Sequence, residues 1–507
     1  LRKLMIVDCP KLASMPPVPW TRALRSIEIA RTGLRFKGLG YSESREQGLS
    51  LVINGVGGID SLFWNELDFC NLSVLKSMSI ENCPPLSLDC IQMLTSLTTL
   101  DIRGGSNVLV SPIRGESNGT YKCPIERVSI QKNGASGKEL TQLLSCCTRL
   151  THLAIRNYEK VTELGVVEQE MTRGVEAEGR LLLPTQLEEL YVYDCPELSI
   201  APSPSPSSGS TGGILQRLYS LRKGMETLET LSNLTSLTEL MISNCGDVRG
   251  EGVWPLTAQG HLTDLYVIGT PKFFVGQPPQ ESVHSSKLQF LRIAGPAAVL
   301  PVPICRLLSS SLTRLSIMGS KEVEPISDEA LQLLTSLQKL QFSRCDNLQF
   351  LPATLHTLSR LEKLEISHCP SIRSLPKDGF PSSLQELEIS YCHAIKSLPK
   401  AKGGLPRSLH KLNISGCPAI KSLPKDGLPS SLQKLEISVC RAIKSLPKDC
   451  LPSSLQELEI SACPAIKSLP MDSLPSSLRL LDVSRWNNKE LTRRCRKLTG
   501  TIPIIIA

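Results

Sequence analysis

Between residues 361 and 484 one phrase recurs almost letter for letter. It reads LEKLEISHCPSIRSLP from Leu361, LQELEISYCHAIKSLP from Leu384 and LHKLNISGCPAIKSLP from Leu409. LQKLEISVCRAIKSLP follows from Leu432 and LQELEISACPAIKSLP from Leu455, so the starts lie 23, 25, 23 and 23 residues apart. A period in the twenties constrains the fold more than any other feature, because every copy must do the same structural job. In the first copy Leu364 and Ile366 alternate with Lys363, Glu365 and Ser367, the pattern of a short strand with one buried side. Cys369, Ile372 and Leu375 then turn inward as the chain bends, and Pro376 blocks helical continuation. One copy cannot bury its own leucines. Stacked copies share a continuous core, and their strands form a parallel ladder.

The frame L-x-x-L-x-[LI]-x-x-C-x-x-[LI]-x-x-L-P is a leucine-rich repeat, and it continues through the chain with more noise. Starts fall at Leu1, Leu24, about Gly48, Leu75, Leu97, Ile125, Leu150, Leu187, Leu237, Leu262, Leu288, Leu312 and Leu337. The regular block follows, with a last start at Leu478. A further coil between 212 and 236 is read from ILQRLYSLRKGMETLETLSNL as helix on the outer side. The expected fold is an α/β solenoid: a leucine-rich-repeat horseshoe of about 19–20 repeats, with a parallel concave sheet and an irregular, short-helical convex side. At about 4.8 Å per strand the inner arc is on the order of 90 Å, sized for a protein.

This solenoid is expected over 1–484, with insertions at 159–185 (acidic and helix-compatible), 201–213 (APSPSPSSGSTGG) and 276–286 (GQPPQESVHSS). Residues 485–507 are expected to form a cap and tail. Arg485-Trp486 replaces the cysteine slot, Asn488 is a candidate N-cap, and Leu491, Cys495 and Leu498 share one face of a short basic helix. The chain opens at Leu1 already inside a repeat, so a longer parent protein is expected.

Composition fits this core: 41% of the 507 residues are apolar but only 4% aromatic, because leucine fills a narrow interior. Ten of the 18 cysteines (Cys9, Cys83, Cys195, Cys245, Cys345, Cys369, Cys392, Cys417, Cys440, Cys463) occupy the same inward slot. With no C-x-x-C pair, zinc is not expected, and a row of buried thiols favours a reducing compartment, the cytoplasm or nucleus. A net charge of +8 lacks the concentrated basic stripe of nucleic-acid binders. Lys396, Lys421, Lys444 and Lys467, with Lys377, Lys400, Lys425 and Lys448, recur in phase and read as a solvated flank. No apolar run is long enough for a membrane span.

Candidate binding residues come from the outward letters of the strands. Tyr191, Tyr193, Met241, Tyr266, Phe290 and Arg292 put aromatic and cationic side chains on one face of an aromatic-poor chain. Strands favour Tyr and Phe for packing reasons as well. Glu365, Glu388, Glu436 and Glu459 form a row that either neutralises itself through Lys363, Lys411 and Lys434 or docks a basic partner. The seven histidines fall at scattered phases without a nucleophile beside them, so no enzyme activity and no metal site are expected.

Cys83-Pro84, Cys195-Pro196, Cys369-Pro370, Cys417-Pro418 and Cys463-Pro464, following the strand, resemble the repeat half of plant intracellular nucleotide-binding, leucine-rich-repeat disease-resistance proteins. ELTRRCRKLTGTIPIIIA is similar to the way cereal members end. The resemblance implies recognition of pathogen effectors or guarded host proteins, and autoinhibition through the receptor's own nucleotide-binding domain. No phosphate-binding loop occurs here: Gly137-Lys138-Glu139 lacks the upstream glycine and the hydroxyl. ADP or ATP is therefore expected only in an absent N-terminal domain, and no cofactor in this chain. The alternatives are an extracellular receptor ectodomain, a bacterial ubiquitin-ligase effector, and a substrate adaptor of a ubiquitin ligase. The ectodomain class carries L-x-G-x-I-P repeats, matched once, at Leu498 to Pro503.

Overall fold

The computed structural model describes residues 2–15, 18, 20, 23–34, 36–44, 48–57, 64, 67, 72–105, 109–110, 122–166, 178–195, 198–200, 215–221, 231, 234, 236–245, 248–259, 261–275, 286–296, 298–376, 379–399, 404–424, 427–447, 450–483 and 489–507. They fall into two compact units, Leu1–Val248 and Arg249–Ala507. The expected insertions at 201–213 and 276–285, the linker lysines Lys377, Lys400, Lys425 and Lys448, and the candidate N-cap Asn488 lie outside the described residues.

Each unit is a parallel-sheet solenoid. In the second unit, five-residue strands begin two residues after the first leucine of a repeat, as at Lys363–Ser367, Glu386–Ser390, Lys411–Ser415, Lys434–Ser438 and Glu457–Ser461. They pair in parallel without register slip. The second and fourth residues of each strand point inward, and Leu364, Ile366, Leu412 and Ile414 have no measurable exposure. Burying each such side chain stabilises the coil by roughly 2 kcal/mol. The turns are closed by the backbone: the carbonyl of Glu362 accepts from Gln385 N (2.8 Å) and Glu386 N (2.9 Å) of the next coil.

The bend after each strand has a fixed geometry. The residue following the strand adopts a left-handed backbone, with φ of 53° at Arg344, 54° at His368, 53° at Tyr391, 55° at Val439 and 49° at Ala462. Glycine takes the same place at Gly269, Gly295, Gly319 and Gly416. This conformation turns the amide toward the neighbouring coil, so His368 N donates to Ser390 O at 2.8 Å. The inward cysteine comes next: the thiol of Cys392 reaches the carbonyls of Ser390 (3.4 Å) and Ile366 (3.7 Å). Burial pushes the Cys392 and Cys440 thiols up to about 12. Nine of the ten slot cysteines are buried, and Cys9 is exposed.

Three features of the first unit differ from a uniform parallel ladder. Phe36–Ser44 runs antiparallel between Ser26–Ala30 and Gly48–Gly55. The connections flanking it are too short for the dozen or more residues that a parallel crossover needs. Arg217–Leu221, expected on the outer side as helix, is a strand paired with Glu189–Tyr193 and with Glu239–Ser243. The described ends of the 159–185 insertion are also strands: Glu163–Val166 pairs with Arg180–Leu183 and with Ser199–Ile200. Leu181 and Leu183 alternate inward there, a period of two that overrides the helix-compatible composition.

Gly137-Lys138-Glu139 opens the helix Gly137–Cys146, where Ser136 and Glu139 form a capping box. Glycine is required at 137 because a Cβ would lie 2.6 Å from the backbone of Arg180. At the far end of the second unit, helix Lys489–Arg496 buries Leu491 and Cys495. The chain then returns as strand Ile504–Ile506, parallel to Leu480–Asp482.

Candidate functional site

In the first unit, Tyr191, Tyr219 and Met241 occupy matching positions on three adjacent strands and face away from the core. The rings of Tyr191 and Tyr219 stack, with centroids 4.5 Å apart and planes 15° from parallel. Their hydroxyls are tethered. Tyr191 donates to Glu189 Oε2 at 3.1 Å, and Tyr219 bonds Glu239. Arg217 lies between these carboxylates, pairing with Glu189 and, at 3.6 Å, with Glu239. His152 Nε2 sits 3.2 Å from Glu189, which is only 7% exposed. Burial first, and then the neighbouring carboxylates, push both phenol pKa values up, so the hydroxyls stay protonated donors. The result is a rigid aromatic platform. Tyr193 stands on the same face opposite Arg156 and is 39% exposed.

The second unit carries a separate cluster. Tyr266 and Phe290 meet edge to face at 5.2 Å. The Arg292 guanidinium lies 5.7 Å from the centroid of each ring, within cation–π range. Arg314 also lies over Phe290, 4.8 Å from its centroid, and is held by Asp264 at 3.2 Å. Directly past these strands the cysteine slot is filled by Thr270, Pro296 and Ser320, and the left-handed residue is glycine in all three coils. Beside Gly269 and Gly295 lies an apolar recess of about 360 Å³ lined by Val267, Phe274, Ile293 and Ala298.

The glutamate row divides in two. Glu365 takes Gln341 Nε2 at 2.7 Å and Lys339 at 3.8 Å, while Glu459 takes Lys434 at 2.5 Å. Lys363 is committed to Glu386 at 3.3 Å. Glu388 and Glu436, on either side of Asn413, form no ion pair within 4 Å with a described residue. The side chains read from sequence thus group as Tyr191 with Met241, and Tyr266 with Phe290 and Arg292. The acidic row stands further along the second unit.

Tyr219, and the Glu189 that tethers Tyr191, escaped the sequence reading. The frame is present from Leu215 through Leu218, but a bulge after Tyr219 moves the third apolar residue one place, so Leu221 aligns with Ile242. His368 and Tyr391 were also missed. Their rings stack at 4.6 Å on the left-handed bends, and a Cβ at Gly416 would meet the Tyr391 ring at 2.6 Å. The only sequence signal was their place, directly before the cysteine.

A scan of protein-family models and a search of curated proteins find nothing that matches this sequence. Among solved structures, the leucine-rich repeat domain of the type III effector XopL is similar at 24% identity, over 42% of this chain and 73% of that one, with a TM-score of 0.33. The TLR13–ssRNA13 complex is similar at 15% identity over all of this chain and 70% of that one, TM-score 0.44. A leucine-rich-repeat protein of Leptospira interrogans follows at 18% identity, covering 87% of this chain and 91% of that one, TM-score 0.37. The repeat frame and the parallel ladder make the chain a leucine-rich-repeat solenoid. No described helix is long and apolar enough to cross a membrane.

Proposed function

We propose that this chain is the protein-recognition and autoinhibitory region of an intracellular plant immune receptor. It would bind pathogen effectors, or host proteins guarded against them, in the cytoplasm or nucleus. The observation that carries the reading is the tethered pair Tyr191–Tyr219. Two large rings with little conformational entropy left to lose stand on an open sheet face, as interface anchors do. The Cys-Pro repeat frame and the row of buried thiols support the intracellular plant class. Nucleotide would bind only to a separate domain of the parent receptor, against which this region packs in the resting state.

The test is retention on the immobilised chain from cereal leaf extract, healthy and infected. A protein retained by wild type and lost from the Tyr191→Ala/Tyr193→Ala/Tyr266→Ala variant is expected, with unchanged circular dichroism. Retention untouched by the triple substitution removes the tyrosines from the reading. Retention of RNA alone overturns it.

A further inference from the structure

Most charges on the open face of the second unit are already answered from within. Arg314 has Asp264, Lys339 has Glu365, Lys363 has Glu386, and Lys434 has Glu457 and Glu459. Arg292 is different. Its guanidinium is fixed by Tyr266 and Phe290 but meets no carboxylate among the described residues. Its Nε is buried without an acceptor. An unpaired buried donor is unfavourable, and an acceptor brought to the guanidinium would relieve that cost.

Glu388 and Glu436 are the complement. Neither has an ion pair with a described residue, and Asn413 between them has a buried Oδ1 with no donor. Burial, reinforced by Glu365 and Glu436, raises the Glu388 carboxyl pKa in spite of Lys363 and Lys411. Unanswered positive and negative charges therefore stand at fixed points of one ladder. The register runs Arg292–Ser316–Gln341–Glu365–Glu388, then Asn413 and Glu436. At about 4.8 Å per strand, Glu388 lies roughly 19 Å and Glu436 roughly 29 Å from Arg292.

We propose that this face docks a partner protein presenting a carboxylate and a cationic side chain roughly 19–29 Å apart. The carboxylate seats on Arg292 and the cation between Glu388 and Glu436. The inference rests on the protein-recognition reading above and adds the partner's charge pattern to it. A nucleic acid fits poorly, because a polyanion crossing Arg292 would run onto Glu365, Glu388, Glu436 and Glu459 along the same column.

Synthetic probes test the pattern without the natural partner. The lead peptide carries about four glutamates and about four lysines, joined by a Gly-Ser spacer of about sixteen residues that spans about 22 Å. It is titrated by fluorescence anisotropy against the whole chain at low salt, beside an all-glutamate peptide, an all-lysine peptide and a thymidine oligonucleotide. The two-block peptide is expected to bind at least about tenfold more tightly than either single-charge peptide. Arg292→Gln should reduce it to the all-lysine level, and Glu388→Gln/Glu436→Gln to the all-glutamate level. Arg292→Lys should retain part of the gain, and Glu490→Gln, in the C-terminal helix, should change nothing. Denaturation midpoints no lower than that of the wild type guard against misfolding. Equal binding of all three peptides, indifference to Arg292→Gln, or tighter binding of the oligonucleotide overturns the proposal. Such a failure, with leaf protein still retained, removes the charge pattern alone; lost retention with intact peptide selectivity removes the immune-receptor reading alone.

Discussion

The coils from Lys363 to Ser461 and the coils carrying Tyr191, Tyr219 and Met241 have the same interior and opposite exteriors. Inside, Leu412 and Leu218 occupy the same slot and have no measurable exposure. Outside, the regular coils repeat Lys and Glu, and many of these charges cancel between neighbouring strands, as Lys363 does with Glu386. The tyrosine coils instead build a tethered aromatic stack on Glu189, Arg217 and Glu239. Inward letters are shared because each coil packs only on its neighbours. Outward letters are released from that constraint, and there they carry individual chemistry.

The sharpest way to break this comparison is to remove the same inward leucine from each region. Leu412→Ala and Leu218→Ala should each destabilise by about 3 kcal/mol, read as equal falls in the urea midpoint of the chain. A much smaller loss at Leu218 would mean that the tyrosine coil is not held by the shared core. A smaller effect of opposite sign is expected at the bend, where Val439 is β-branched yet left-handed at φ 55°. Val439→Asn should stabilise by about 1 kcal/mol, whereas Asn157→Val at the equivalent bend of the first unit should destabilise by a similar amount.

The smallest effect concerns Glu388, faced by Glu365, Glu436, Lys363 and Lys411. Its pKa is raised on folding, so the folded state binds the extra proton more readily than the unfolded chain. The native state therefore gains stability as pH falls through the folded pKa, and loses it again as pH rises. Glu388→Gln should raise the melting temperature at pH 7 and have no effect well below the unfolded carboxyl pKa. An equal shift at both pH values would show that the effect does not come from the carboxylate charge, which burial and then Glu365 disfavour.

The solenoid was legible from the recurrence of Leu364, Ile366 and Cys369 in later copies, because a period in the twenties admits one way of burying them all. So was the outward direction of Tyr191, Tyr266 and Arg292, since alternation in a strand assigns faces. Tertiary structure decided what alternation cannot: which outward residues touch. A bulge at Tyr219 hid a strand from the frame, and only its pairing on both sides placed that ring against Tyr191. The antiparallel Phe36–Ser44 segment likewise followed from neighbours and loop length, not from its own letters. Which charges are answered was also invisible, because Glu365 and Glu388 both sit in the segment Leu-Glu-Ile-Ser and their partners stand on the adjacent strands. Periodicity is a local property that one strand can record; partnership depends on the strands beside it.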